Sequence, residues 1–411
     1  MDVLVVERAR WAVTAVFLVN GCAISSYISR IPSLKLGHQL TDGQLGVVLT
    51  LFGAAALVSM QFVGGLVSRF GSRRIIRLAL VVLPMTLVGV GQARDGVQLG
   101  IAVVLMGVVH GSVDVAMNAH AVAVERLRGR PLMSGCHAAW STSAVLASLT
   151  AAVVTRASVS PGEHFLYSAV VLLVAGLIVT RWLLPSSADQ TAGSGGDEAR
   201  ASTRTGWTRA VVVLGGMGFV VMIGEAAVIS WSGVFMHDVR GAGLALAALG
   251  FTAFTACQTV GRVVGDRLTE RYGASSLFRV CGLVSVVGLS IVLVVPVWPA
   301  TLAGLAILGL GGSVLMPLIF SAVGREGGAA AAAAVSRLTT FTYAGILIGP
   351  AIVGWSAQLI GLTWTFAVLL PLLLGVAANG RLLSPKPEAP GAPGAPEALT
   401  ALSTGDPRPP S

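Results

Sequence analysis

Apolar runs about as long as a membrane is thick recur along the chain, separated by short segments that carry charge, glycine or proline. The first six lie at 11–30, 44–67, 75–93, 97–122, 133–155 and 165–184. A helix needs about 20 apolar residues to cross the hydrocarbon layer, so each run predicts one membrane-spanning helix. Six more lie at 209–236, 243–266, 275–295, 299–322, 334–359 and 363–383. In chain order these are spans one to twelve. Residues 185–208 between the two sets are polar and Gly/Ser-rich and predict a flexible cytoplasmic linker. From Ser384 to the end the chain is Pro- and Ala-rich and predicts a disordered cytoplasmic tail. The fold class expected is an all-α integral membrane protein with two six-helix bundles, 1–184 and 209–383. Arg8 and Arg10 before an apolar run ending at Gly21-Cys22 imitate a cleaved lipoprotein leader. Asn20 fits that cleavage pattern poorly and eleven further runs follow, so an uncleaved first span is the expectation.

Composition supports the membrane reading. Of 411 residues 55 % are hydrophobic and only 11 % are charged, whereas soluble domains carry about 25 % charged residues. A soluble enzyme is excluded. The 27 basic residues against 18 acidic ones, a net +9, would suggest nucleic acid if they formed one patch. Instead, with both termini cytoplasmic, 22 fall on the inner side and five (Arg30, Lys35, Arg94, Arg156 and Arg240) on the outer. That bias reports orientation and no nucleic-acid partner. Cys22, Cys136, Cys257 and Cys281 lie singly in apolar stretches, without metal-ligand spacing, and are read as packing residues.

The two halves echo one another. GGLVSRFGSRRIIRL (Gly64–Leu78) follows span two, and GDRLTERYGASSLFR (Gly265–Arg279) follows span eight. Superposing Arg69-Phe70-Gly71 on Arg271-Tyr272-Gly273 gives an offset of 202 residues, which predicts duplicated halves with a binding site between them near the midplane.

Gly64–Arg74 resembles the signature of the major facilitator superfamily: a glycine, an acid, an arginine, then glycine and two basic residues. Gly64, Leu66, Arg69, Gly71, Arg73 and Arg74 match it, Ser68 stands where the acid is usual, and the second copy keeps an acid as Glu270. The resemblance implies a cytoplasmic gate formed by these residues with Glu270, Arg271 and Gly273. The stretch Gly111–Ser141, helix seven at Gly224–Asp238 and GILIGPAIVG at Gly345–Gly354 resemble a bacterial group related to the fucose permeases. Nearly the whole chain outside the linker and tail shares the likeness, which speaks for fold and transport more than for substrate. The efflux branch of the family carries a Gly-Pro-rich motif in helix five. Here that helix has no proline, and Gly-Pro occurs only in helix eleven, at Pro350.

A charge at the bilayer centre is costly, so carboxylates inside spans are functional candidates. Asp114 in span four and Glu225 in span seven sit in opposite halves. His110, Asp114 and Asn118, spaced four apart, share one helix face that must look into the bundle. The functional expectation is that Asp114 takes up a proton as solute binds, with His110 modulating it. The alternative is a buried hydrogen-bonding group that never titrates. Glu225 is either a second protonatable group, or an acceptor for solute hydroxyls, or an ion-paired structural residue. The glycines Gly215, Gly216, Gly218 and Gly224 before it are expected to let helix seven bend. Asn20, Asn118, Trp140, Trp231, Gln258 and Tyr343 supply amide edges and aromatic faces suited to a polar small molecule, the alternative being interhelical hydrogen bonds or interface aromatics. His137 and Arg337, near the cytoplasmic ends of helices five and eleven, are candidate gate residues. Gly107 with Gly111 and Gly345 with Gly349 are packing spacings.

No phosphate-cradling G-x-x-x-x-G-K-[ST] motif occurs, so ATP is not expected to drive the protein, and no cofactor or metal is implied. The reading is a multi-pass bacterial cytoplasmic-membrane transporter, a monomer, moving a small polar, sugar-like solute with H+ by alternating access. Proton-driven efflux of an amphipathic compound is the runner-up. A non-transporting sensor or scaffold is the alternative of another class.

Overall fold

The computed structural model describes residues 3–129, 132–185, 207–327 and 331–384. Nearly all of the predicted linker, the tail beyond Ser384 and part of the alanine run at 329–334 lie outside them. Among the described residues the protein is helical throughout, and eleven helices are long and apolar enough to cross a membrane. The last of these holds two spans, because Gly361 at φ 80°, ψ 156° breaks Ala331–Ala378 into arms 331–360 and 362–378. Twelve crossings result, as the apolar runs predict.

Span one is Val3–Ser29, followed by a short helix Ile31–Gly37. Spans two to six are Asp42–Phe70, Ser72–Gln92, Gly96–Arg128, Met133–Arg156 and Pro161–Val179. Span seven, Arg209–Val234, ends in a π-helical turn Phe235–Val239. Spans eight and nine are Leu244–Tyr272 and Ala274–Val294, and span ten is Trp298–Gly312 continued by Leu315–Gly327. Local chemistry sets these limits. Thr41 with Gln44 and Ser160 with Glu163 form reciprocal capping boxes at the starts of spans two and six. Asp95 and Thr208 cap spans four and seven.

The duplication is visible in the backbone. Gly71, between spans two and three, has φ 81°, ψ 147°, and Gly273, between spans eight and nine, has φ 77°, ψ 150°. Both join consecutive helices through a conformation closed to most side chains. Helix contacts repeat with the same offset. A β-carbon on Gly107 would lie 2.3 Å from the carbonyl oxygen of Phe52, and one on Gly309 would lie 2.2 Å from that of Phe254. Both members of the pair are displaced by 202 residues, as the loop superposition predicts. Gly345 meets the Phe219 carbonyl in the same manner, at 2.8 Å, locking span eleven onto span seven.

Helix seven runs as a continuous α-helix over Arg209–Val234. Gly215 and Gly218 make room for span eleven, while Gly216 and Gly224 stand in open space. A β-carbon on Gly215 would lie 2.5 Å from the Phe341 ring, and one on Gly218 would lie 3.2 Å from Leu338.

The halves meet at one end. All hydrogen bonds, ion pairs and tight glycine contacts described between them lie at the arginine-poor end, away from both termini. Gly46 of span two and Gly354 of span eleven touch backbone to backbone, with a Gly46 β-carbon 2.9 Å from the Gly354 Cα. Gly43 donates its N–H to Gln358 Oε1 at 3.2 Å. Ser148 of span five donates to the carbonyl of Ala248 in span eight at 2.8 Å and also bonds Thr252.

Candidate functional site

Below that seal, spans one, two, seven and eleven enclose a cavity of about 230 Å³. Its wall is mostly apolar: Ile28, Leu49, Phe52, Met222, Ile229 and Ile346 line it, with Tyr27, Ser230 and Glu225 as the polar members. Phe52 links this chamber to the polar stripe of span four, since its ring stacks on His110 at 5.7 Å and tilts against Tyr27 at 5.7 Å.

His110 Nδ1 donates to Asn20 Oδ1 of span one at 3.2 Å. Asn20 is fully buried, and its Nδ2 has no partner. An unpaired buried donor costs about 1–3 kcal/mol, so this amide is a poor structural device on its own. One turn further, Asn118 Nδ2 donates to the Asp114 backbone carbonyl at 2.8 Å. No hydrogen bond or ion pair reaches the Asp114 carboxylate among the described residues. Tyr343 of span eleven, in the opposite half, lies within its electrostatic reach.

The carboxylate of the C-terminal half is differently placed. Glu225 lies 3.5 Å from the Arg262 guanidinium of span eight. It also borders a second, small space of about 30 Å³ lined by residues of the C-terminal half, where Gln258 and Ser285 are the other polar lining groups. Gln258 is 4 % exposed and its Nε2 has no partner. The Arg262 side chain is 44 % exposed and lies within electrostatic reach of His137 of span five. His137 is itself exposed, its ring edge-on to Phe17 at 5.4 Å.

Of the other sequence candidates, Trp140 packs beside Gly21 of span one, and Tyr343 is 42 % exposed. Trp231 is 0 % exposed, so it is neither a cavity wall nor an interface aromatic in this conformation. Gln258 faces the small C-terminal space and not the chamber between the halves.

Among the described residues the signature loop shows no acidic pairing. Ser68 Oγ turns back to the Gly65 carbonyl at 2.8 Å. Arg73 and Arg77 donate to the carbonyls of Arg181 and Thr180 at the end of span six, at 3.2 Å and 3.1–3.2 Å. Cations at a helix C-terminus satisfy its free carbonyls and oppose its dipole. Arg69 and Arg271 lie over the neighbouring Phe70 and Tyr272 rings at 5.1 Å and 5.4 Å. Gly64 stands in open space, and Arg74 and Glu270 are exposed. Arg337 covers the Trp207 ring at 5.5 Å. Among the described residues these contacts stay within one half, so the loop residues brace each bundle.

The opposite end carries a lock that the sequence did not reveal. Lys35, on the short helix after span one, bonds Asp42 at 2.5 Å and reaches across to Asp238 at the end of span seven. His237 Nδ1 contacts the other oxygen of Asp238 at 2.7 Å. Burial works against the Lys35 charge, but the carboxylates of Asp238 and Asp42 outweigh it and hold the ammonium above the usual lysine range. A raised lysine pKa contributes fully below about 10.4 and is lost only as pH rises through the folded value, so this lock is intact at neutral pH.

A family model described as Major Facilitator Superfamily matches residues 13–250 and 214–407. The chain belongs to the major facilitator superfamily. It is 30 % identical over 365 residues to an uncharacterized MFS-type transporter of Yersinia pestis, covering 89 % of this chain and 93 % of that one. Its fold is similar to that of the nucleoside transporter NupG, with a TM-score of 0.75 at 11 % identity over 91 % of this chain and 98 % of NupG. It is also similar to a D-xylose-proton symporter, with a TM-score of 0.69 at 16 % identity over 92 % and 98 % of the two chains. The superfamily member is therefore a multi-pass membrane protein of the transporter fold, and the Arg262 contact to Glu225 and the Lys35–Asp238 lock are features that sequence reading passed over.

Proposed function

We propose that this protein is a secondary transporter that carries a small solute inward together with a proton, using Asp114 as the coupling carboxylate. The observation that carries the reading is a span-centre carboxylate with no cation or hydrogen-bond donor on it, bordering the divide between the halves. In such a place the ionised form is expensive, and a proton taken from the outer solution makes the group neutral. Alternating access follows from the two bundles rocking about the site: closed at Gly46–Gly354 and Lys35–Asp238, the protein faces the arginine-rich side. The 22-to-five basic bias assigns that side to the cytoplasm, giving an inward-facing state in the bacterial inner membrane, with both termini inside. The chamber of about 230 Å³ falls below the range of drug-sized sites, which favours a compact solute. Its few polar wall groups suit one polar head better than a ring of hydroxyls.

The apolar wall favours a second reading, proton-driven efflux of an amphipathic compound. Counterflow and gradient-driven uptake in proteoliposomes separate the two. Symport predicts accumulation when protons run inward with the solute, and abolition of that accumulation, with exchange retained, in Asp114→Asn. Extrusion against an inward proton gradient favours efflux. Ligand binding without any flux favours a sensor.

A further inference from the structure

Arg262 places a guanidinium at the divide between the halves, on the cytoplasmic side of the apolar chamber. Its only described ion-pair partner is Glu225, at 3.5 Å, with 44 % of the arginine side chain exposed. The 3.5 Å contact is loose and no hydrogen bond of the guanidinium is described, so this pair alone does not account for an arginine inside a membrane span. His137 of the N-terminal half lies within electrostatic reach of it. Next to them the wall is apolar, from Met222, Ile229 and Ile346 on one side and Ile28, Leu49 and Phe52 on the other. Glu225 belongs both to this wall and to the ion pair.

We infer that the transported solute is a small organic acid, its compact body held in the apolar chamber and its carboxylate bound by Arg262 in the place that Glu225 takes when the site is empty. The inference rests on the transport reading above and names its substrate class. Arginine suits the task because its planar fork matches a carboxylate with two parallel hydrogen bonds, which an ammonium cannot do. Glu225 is then a competitor built into the site. It neutralises Arg262 while the cavity is empty, so the guanidinium does not stand unpaired in the membrane, and it yields when a better-placed carboxylate arrives. The chamber volume sets the size of the body, and the single cation sets the charge at one carboxylate.

The test uses the full-length protein, purified and reconstituted, with three probes on one body: phenylacetate, phenylacetamide and phenethylamine, and gluconate against sorbitol for a polar body. Thermal stabilisation at graded concentration reads binding, and counterflow in proteoliposomes reads transport. The expected result is stabilisation by one or both acids and none by the amide, the amine or sorbitol. Arg262→Gln should weaken acid binding at least about tenfold, the scale of losing a charge-assisted hydrogen bond, and Arg262→Lys should restore part of it. Glu225→Gln should tighten acid binding several-fold, because the competitor is gone. That variant keeps the test alive if Arg262→Gln folds poorly. Neutral or cationic probes binding as well as the acids, no acid binding at all, or acid binding indifferent to Arg262→Gln overturns the inference. So does weaker binding in Glu225→Gln. If the amide binds and is exchanged, transport stands and the acid assignment falls. If an acid binds through Arg262 but is never exchanged, the site stands and the transport reading falls.

Discussion

The two halves of this protein repeat backbone and packing features at a 202-residue offset, yet each carries its membrane-embedded carboxylate in a different electrostatic setting. In the N-terminal half Asp114 follows His110 on one helix face, with the imidazole committed to Asn20 and the carboxylate left to itself. In the C-terminal half Glu225 is held by Arg262. The 202-residue offset carries Asp114 onto Met316 and Glu225 back onto Ala23, so neither acid has a counterpart in the other repeat. Packing has stayed symmetric while chemistry has diverged. A carboxylate without a cation suits proton exchange, and one with a cation suits charge exchange with a solute.

The sharpest way to break this comparison is to neutralise each acid. Asp114→Asn should abolish accumulation driven by a pH gradient while leaving solute counterflow, measured in the same vesicles. Loss of both activities together would make Asp114 a structural residue. Symmetry of packing is tested next. Gly107→Val and Gly309→Val each push a side chain into a carbonyl of the facing helix, and each should cost about 1–3 kcal/mol in thermal unfolding. Unequal losses would mean that the halves have diverged in packing as well. A smaller effect is expected at the seal. Lys35→Gln removes a part-exposed pair that spans the halves, so the open-outside population should rise by up to about fivefold, for a loss of roughly 1 kcal/mol or less. Distances between spin labels on the arginine-poor ends of spans one and seven read that shift. Smallest is Glu225→Gln, which should change gradient-driven accumulation by less than about threefold if only Asp114 carries the proton, since altered solute affinity moves uptake far less than loss of coupling does.

Much of the architecture was legible because a membrane enforces it. The apolar runs gave every crossing, and Gly361, a lone glycine between two runs, marks the break that separates spans eleven and twelve. The loop superposition carried through to Gly107 and Gly309 because a backbone carbonyl can approach only where no side chain stands. The site was legible in part. Charge and helical spacing single out His110 and Asp114; His110 bonds Asn20 and stacks on Phe52 of the chamber wall, and Asp114 lies within electrostatic reach of Tyr343 in the opposite half. Arg262 was missed although its own apolar run, 243–266, contains it: basic residues had been assigned to loops, and the cost of an intramembrane charge applies equally to a cation. The Lys35–Asp238 lock joins residues 203 apart, and no local pattern announces such a pair. Trp231 was misplaced because one sequence does not say which face of a uniformly apolar helix turns inward, and this face turned fully into the core.

The most direct test of the central claim is proton movement itself. Proteoliposomes loaded with a fluorescent pH indicator, corrected against protein-free vesicles, are given each solute that stabilises the purified protein. The account predicts solute-dependent acidification of the lumen by the wild-type protein, and solute exchange without acidification by Asp114→Asn. Solute entry with no acidification in the wild type, or equal acidification in the variant, would contradict it.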